Sequence, residues 1–251
     1  VKLGKAALTS FLTGFGPGVG DLTLQAGQMS LRGTVALPTH LLDTQVSATI
    51  EDPGTLVIAD LPKVLSFIKT LPKDSVVTLW QPGAKNNLRL LCGKTTLTLP
   101  STDYVHSHKS VEKAMSLVSE ARMANWKAWA GRALPCYGKL KVQDLYQLKS
   151  VEKVVGKDVG VTMEFDHEDS TLHFSAGHRG SATMSFGIDM EDCDGPDTTT
   201  NATSHYGTWL PDLLQCIPNG TVELYTANDY VSIFRHTEKD HLLLVMDKRG
   251  E

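Results

Sequence analysis

No stretch of this chain approaches the roughly 18 consecutive apolar residues that a membrane-spanning helix requires. The opening residues carry no secretory pattern either: Lys2 and Lys5 are followed by a short, glycine-interrupted run without a cleavage signature, so a cytoplasmic location is expected. Cysteine is sparse and scattered. Cys92, Cys136, Cys193 and Cys216 form no Cys-x-x-Cys pair, which leaves reduced, structural thiols as the default. The sequons at Asn201 and Asn219 would matter only in a secreted protein and are discounted. Positive charge is in deficit: the net charge is -4, which argues against a protein that coats nucleic acid over its whole surface. It does not exclude one that gathers its lysines on a single face, because phosphate binding depends on local charge. The 41% apolar and 21% charged fractions are those of a globular chain, and 251 residues suffice for one large or two medium domains.

Catalytic and ligand motifs are also missing. The glycine-rich run Gly14 to Gly20 lacks Gly-Lys-Ser/Thr, follows a helix and precedes a strand, which is the wrong setting for a phosphate loop. Asp192-Cys193-Asp194-Gly195 fails the spacing and the terminal Glu of a calcium loop. His106 and His108 have no Cys or His partner at useful spacing. Asp166, His167, His173 and His178 cluster in sequence without a nucleophile motif, and they read as strand and turn residues. No enzyme activity, cofactor or metal is expected.

What is present is an internal repeat. Leu61-Pro62-Lys63-Val64-Leu65-Ser66-Phe67-Ile68-Lys69-Thr70-Leu71-Pro72 leads into Val76 to Trp80, and Leu210 to Pro218 leads into Thr221 to Tyr225. Each is an amphipathic helix with Pro in its first turn and Pro past its end, where the missing N–H costs least and the helix cannot continue. Each then feeds β-branched and aromatic alternation. Leu88 to Gly93 and Thr95 to Leu99 read as two further strands, matched by Tyr230 to Phe234 and His241 to Met246.

Upstream, each half opens with another helix, Leu3 to Leu12 and Val142 to Val155. Strand-like runs follow at 21–24, 29–32 and 45–50 in the first half. In the second half they lie at 160–165, 172–174 and 182–186. The order predicts an α+β fold of two similar domains, with helices on one face of mainly antiparallel sheets. The expected boundaries are 1–102 for the first domain, 103–135 for a connector and 136–251 for the second domain. Within the connector a helix is expected from Ser110 to Trp129, with Ser110 as its cap. Gly195 to Ser204 reads as a polar surface loop.

The helices carry their charge unevenly. At about 100° per residue, Leu61, Val64, Leu65, Phe67, Ile68 and Leu71 share one side, and Lys63, Ser66, Lys69, Thr70 and Lys73 share the other. Lys149, Lys153 and Lys157 form one row at four-residue spacing, with Lys139 and Lys141 just before that helix, while Asp144 and Glu152 make its charge mixed. Lys5, Thr9 and Thr13 repeat the spacing on the first helix. Any one such face is an ordinary solvated surface. Repeated on three helices of an acidic chain, the lysines point to sequence-independent contact with phosphates, since a lysine acts as a mobile point charge without base readout.

These features resemble the DNA polymerase sliding clamps (processivity factors) of large tailed bacteriophages. The resemblance rests on Val1-Lys2-Leu3-Gly4-Lys5 and the helix to Phe15, on Leu22 to Gln28, on Leu97-Thr98-Leu99-Pro100, and on Lys141 to Leu148. It spans nearly the whole chain as a pattern of elements with short matches. It implies a closed ring, a homotrimer of two-domain subunits with antiparallel sheets outside and helices lining a central hole. Subunits would join by pairing edge strands. The resemblance further implies duplex DNA, a DNA polymerase and a clamp-loader ATPase as partners, in the cytoplasm of an infected bacterial host. On this reading the DNA-facing residues are Lys5, Lys63, Lys69, Lys73, Lys139, Lys141, Lys149, Lys153 and Lys157. A pocket for partners would involve Leu242, Leu244 and Met246. The connector is longer and more helical than this family leads one to expect. The alternative reading is a β-rich structural or protein-interaction protein, such as a virion component.

Overall fold

The computed structural model describes residues 1–16, 18–83, 86–100, 105–156, 158–177, 182–193 and 201–248; for 105–109 and 152 it describes the backbone. Two compact units are present: Val1–Ala36 with Leu42–Ala114, and Leu37–Leu41 with Met115–Glu251.

The first unit runs β1 (Lys2–Gly4), α1 (Lys5–Thr13), β2 (Leu22–Ala26), β3 (Ser30–Ala36), β4 (His40–Ser47), β5 (Gly54–Ile58), α2 (Leu61–Thr70), β6 (Val76–Trp80), β7 (Leu88–Cys92) and β8 (Thr95–Leu99). Its strands form a sheet β1-β6-β7-β8 and a second run β4-β3-β2-β5. The α2 helix starts where the sequence predicts. Asp60 caps it by accepting a hydrogen bond from the Lys63 N–H at 2.9 Å, and Pro62 occupies its first turn. Leu61, Val64 and Ile68 of α2 and Leu8, Phe11 and Leu12 of α1 are buried. At about 1.5–3 kcal/mol for each large apolar side chain removed from water, that face outweighs the weak intrinsic preference of such short helices. Phe11 and Phe15 meet edge to face at 5.3 Å. Gly33 on β3 makes room for them: a Cβ there would lie 2.3 Å from the Phe15 ring.

The second unit repeats this order with β11 (Cys136–Lys141), α4 (Val142–Leu145), a 3-10 turn (Tyr146–Leu148), α5 (Lys149–Val155), β12 (Val161–Asp166), β13 (Thr171–Gly177), β14 (Thr183–Asp189), β15 (Ala202–Tyr206), α6 (Leu210–Leu214), β16 (Thr221–Thr226), β17 (Ser232–His236) and β18 (His241–Val245). Its strands form β14-β13-β12-β15 and the run β11-β16-β17-β18. Each unit is therefore strand, helix, four strands, helix, three strands, and the α+β repeat expected from the sequence is present. The strands β1, β5, β11 and β15 were not expected. They are short or interrupted by Gly and Thr, so their alternation is weak. Ala202 to Ser204, expected in a surface loop, belong to β15; residues 194–200 lie outside the described residues. The continuous helix expected from Val142 to Val155 is three short pieces.

Between the repeats, α3 (Val105–Met123) begins earlier and ends earlier than expected. Ser110 therefore sits inside the helix and does not cap it. Asn125 and Trp126 take left-handed conformations with φ of 49° and 65°, and the Trp126 N–H closes on the Ala121 carbonyl at 2.7 Å. A two-stranded hairpin follows, β9 (Ala128–Trp129) and β10 (Arg132–Ala133). It is latched within the second unit. The Tyr230 hydroxyl donates to the Trp129 carbonyl at 3.0 Å, and the Arg132 guanidinium lies 4.3 Å over the Tyr230 ring and donates to the Asn228 carbonyl at 3.1 Å. No helix among the described residues is long and apolar enough to cross a membrane.

Candidate nucleic-acid interface

In the first unit the candidate lysines stand on α1, on α2 and on the turn after α2. Lys63, Lys69 and Lys73 are exposed on α2 and the turn after it. Lys63 pairs with Asp60 at 3.3 Å, and its backbone N–H, then its ammonium, hold the Asp60 carboxyl below the usual range. Among the described residues no acid pairs with Lys69 or Lys73. Lys5 is engaged within the fold. Its ammonium donates to the carbonyls of Leu71 and Lys69, which are orphan acceptors at the end of α2, so it ties α1 to α2. Thr9 and Thr13 fold back on their own helix, with hydroxyls on the Lys5 and Thr9 carbonyls at 2.8 and 2.9 Å.

In the second unit the lysines are dispersed. Lys139 lies on strand β11, not on a helix. It forms an ion pair with Asp192 at 2.7 Å, and this bond raises its pKa. Lys141 is exposed at the start of α4, where a cavity of about 430 Å³ is also lined by Asp144, Asp189 and Glu191. Lys149 and Lys153 are exposed one turn apart on α5. Lys149 donates to the Gln215 side chain at 2.9 Å, just past α6. Lys157 lies outside the described residues, and α5 ends at Val155, so the helical row holds two lysines.

The residues proposed to meet partners are on or after β18. Leu242 and Leu244 are buried in the strand, whereas Met246, one residue past it, is part-exposed and donates its N–H to the Thr39 carbonyl at 2.9 Å. The acid that pairs with Lys139, Asp192, gave no sequence signal as a partner. Asp192 is 53 residues from Lys139. Among the described residues no group of three or more His, Cys, Asp or Glu side chains is placed to hold a metal ion.

No family model matches the chain, and no curated protein matches it in sequence. Solved structures match it in fold. A protein described as a putative DNA polymerase III beta subunit from Eubacterium rectale superposes with a TM-score of 0.73 at 12% identity, over 98% of this chain and 64% of that one. The beta subunit from the DNA polymerase of Streptococcus pyogenes gives 0.74 at 9% identity, over 98% and 65%. PCNA of A. fulgidus, solved with the C-terminal region of FEN-1 bound, gives 0.70 at 11% identity, over 98% of this chain and 96% of that one. The chain thus spans about two thirds of the bacterial beta subunits and nearly all of a PCNA subunit. It has the sliding-clamp fold.

Proposed function

We propose that this chain is a subunit of a DNA sliding clamp, a ring that encircles duplex DNA and tethers the replicative DNA polymerase without catalysing a reaction. The observation that carries the reading is the duplicated unit, strand-helix-strands-helix-strands, which matches a PCNA subunit along its length while placing lysines on its helical layer. Residues 1–102 and 136–251 are the two clamp domains, joined by the connector 103–135. The two repeated units resemble the two-domain subunit of a trimeric clamp, which supports a homotrimer. The ring resembles those of tailed phages and would work in the cytoplasm of an infected bacterial host, loaded by a clamp-loader ATPase.

Two sheet edges are available for joining subunits. β8 and β14 each end a sheet, and among the described residues no backbone hydrogen bond outside the sheet reaches either. Other edges are engaged: β11 by mutual bonds between Lys139 and Glu191 at 2.7 and 2.8 Å, β5 by the Gln81 side chain on the Val57 N–H at 2.8 Å, and β15 by Asn228 and Asp247. An unpaired edge is a template for another chain, so β8 of one subunit pairs with β14 of the next. Mechanism follows from topology. Enclosure retains the DNA, weak phosphate contacts let the ring slide, and affinity without loading is low.

The test is functional. The protein, a matched loader, polymerase and ATP are added to primed circular DNA, and product length is measured against reactions without the protein. Longer products are expected. Unchanged product length, in a protein that sediments as a monomer at micromolar concentration, would overturn the reading.

A further inference from the structure

The two units repeat one order of elements but not one distribution of charge. Helices α1 and α2 contain three lysines (Lys5, Lys63 and Lys69) and no acid. The helical segments of the second unit contain two lysines (Lys149 and Lys153) and three acids (Asp144, Glu152 and Asp212). The difference is sharpest at matched positions. Leu61-Pro62-Lys63 opens α2 and Leu210-Pro211-Asp212 opens α6, so the repeat exchanges a lysine for an aspartate at the same turn.

The remaining lysines of the second unit do not restore the balance. Lys139 is neutralised by Asp192. Lys141 shares its cavity with Asp144, Asp189 and Glu191. Lys149, already counted on α5, donates to the neutral Gln215 side chain and keeps its charge. Lys69 and Lys73, like Lys149 and Lys153, have no acidic partner among the described residues, so the asymmetry lies in the acids that the helical segments of the second unit carry and that α1 and α2 lack.

We propose that the first unit holds the duplex, through Lys63, Lys69 and Lys73, and that the helices of the second unit present DNA with a near-neutral surface. This rests on the clamp reading. A trimeric ring then offers alternating retaining and passive sectors instead of six equal ones. Phosphates are gripped by the lysines of each first unit in turn, and Asp212 keeps the intervening helices from adding drag.

The experiment measures binding of a short fluorescent duplex by the full-length protein across a salt series, with sedimentation to confirm that each variant keeps the assembly state of the parent. All the lysines to be changed are exposed, so folding is preserved. K63E/K69E/K73E is expected to weaken binding by about tenfold or more at low salt and to flatten the slope of log K against log salt, since each phosphate contact contributes roughly 0.9 to that slope. K149E/K153E is expected to cost less than about threefold, and D212K to strengthen binding and steepen the slope. Equal losses from the two lysine sets, or a larger loss from the second, would overturn the asymmetry while leaving the clamp reading intact. A parent protein that neither binds duplex at low salt nor assembles overturns both.

Discussion

A proline at Thr98 tests the assignment of β8 as a subunit edge. β7 and β8 are joined by the two-residue turn Gly93-Lys94, with Gly93 at φ 57° and Cys92 opposite Thr95. The pair flanking such a turn exchanges both hydrogen bonds, and the pattern alternates along the ladder. Leu90 with Leu97 and Leu88 with Leu99 are therefore bonded pairs, whereas Thr96 and Thr98 aim their N–H and C=O groups away from β7. Both threonines are exposed. Thr98→Pro removes no bond from its own sheet, so thermal unfolding should move by less than the 2–4 °C that about 1 kcal/mol produces at this size. At an interface it deletes a donor and leaves the partner carbonyl unpaired, which costs about 2 kcal/mol. Closing a trimer uses that contact three times, about 6 kcal/mol per ring, so the concentration at half-assembly should rise by about two orders of magnitude. Sedimentation over a dilution series reads this directly. Leu97→Pro, which does break the ladder, should instead unfold the sheet. A Thr98→Pro protein that assembles like the parent refutes β8 as the edge, and a Thr98→Pro protein damaged like Leu97→Pro refutes the hydrogen-bond alternation.

Three further outcomes are expected. His241 is buried on β18 with its Nε2 unpartnered, and burial, followed by the nearby His236 and Lys239 charges, pushes its pKa down to about 3. The unfolded chain then binds the extra proton below its ordinary value of about 6.5, so stability is complete above that pH and is lost as pH falls toward 3, by about 2 kcal/mol at pH 5. Burial lowers the His40 pKa as well, with the same sign. His241→Phe should flatten the fall in denaturant midpoint between pH 7 and 5; an unchanged profile would show that another group is responsible. Asp43 is buried and accepts from Arg32 Nε and Nη2, at 2.8 and 2.9 Å, and from the Thr34 hydroxyl at 2.7 Å. Asp43→Ala strands the guanidinium and should cost about 3–5 kcal/mol in urea unfolding, well beyond a surface ion pair. Lys5→Met frees the terminal carbonyls of α2 to water and should cost about 1 kcal/mol, seen as a lower Tm; a larger effect on DNA affinity than on Tm would return Lys5 to the DNA-facing set.

The parts of the fold legible in the sequence are those that the hydrophobic effect makes periodic. α2 was readable in its bounds and its face, because Leu61, Val64 and Ile68 must all reach the core and Pro62 and Pro72 punctuate it. β6, β7 and β8 were readable for the same reason. The α4-to-α5 segment kept its apolar spacing through a 3-10 turn, so the core face survived in the reading while the straight helix did not. The connector misled differently: α3 stops at Met123 because Asn125 and Trp126 adopt left-handed backbones, which asparagine favours but a bulky tryptophan does not announce.

Charge is less legible than burial, and the candidate interface shows why. Helical spacing tells which lysines share a face, but it says nothing about what folds up beside them. Lys139 met Asp192 across 53 residues and Lys149 met Gln215 across 66, and Lys5 found carbonyls 64 and 66 residues away. Each partner removes or redirects a charge that the sequence counted as free. The lysines that survive this filtering with the least compensation sit on one element, α2 and its following turn, where the helix carries no acid and the cap residue Asp60 engages only Lys63. Exposed ion pairs of this kind are worth under about 1 kcal/mol and yield readily to a phosphate. On the proposed reading Lys63 is the more available to a phosphate, because its pair with Asp60 is longer, at 3.3 Å, than that of Lys139 with Asp192, at 2.7 Å, and its side chain is the more exposed.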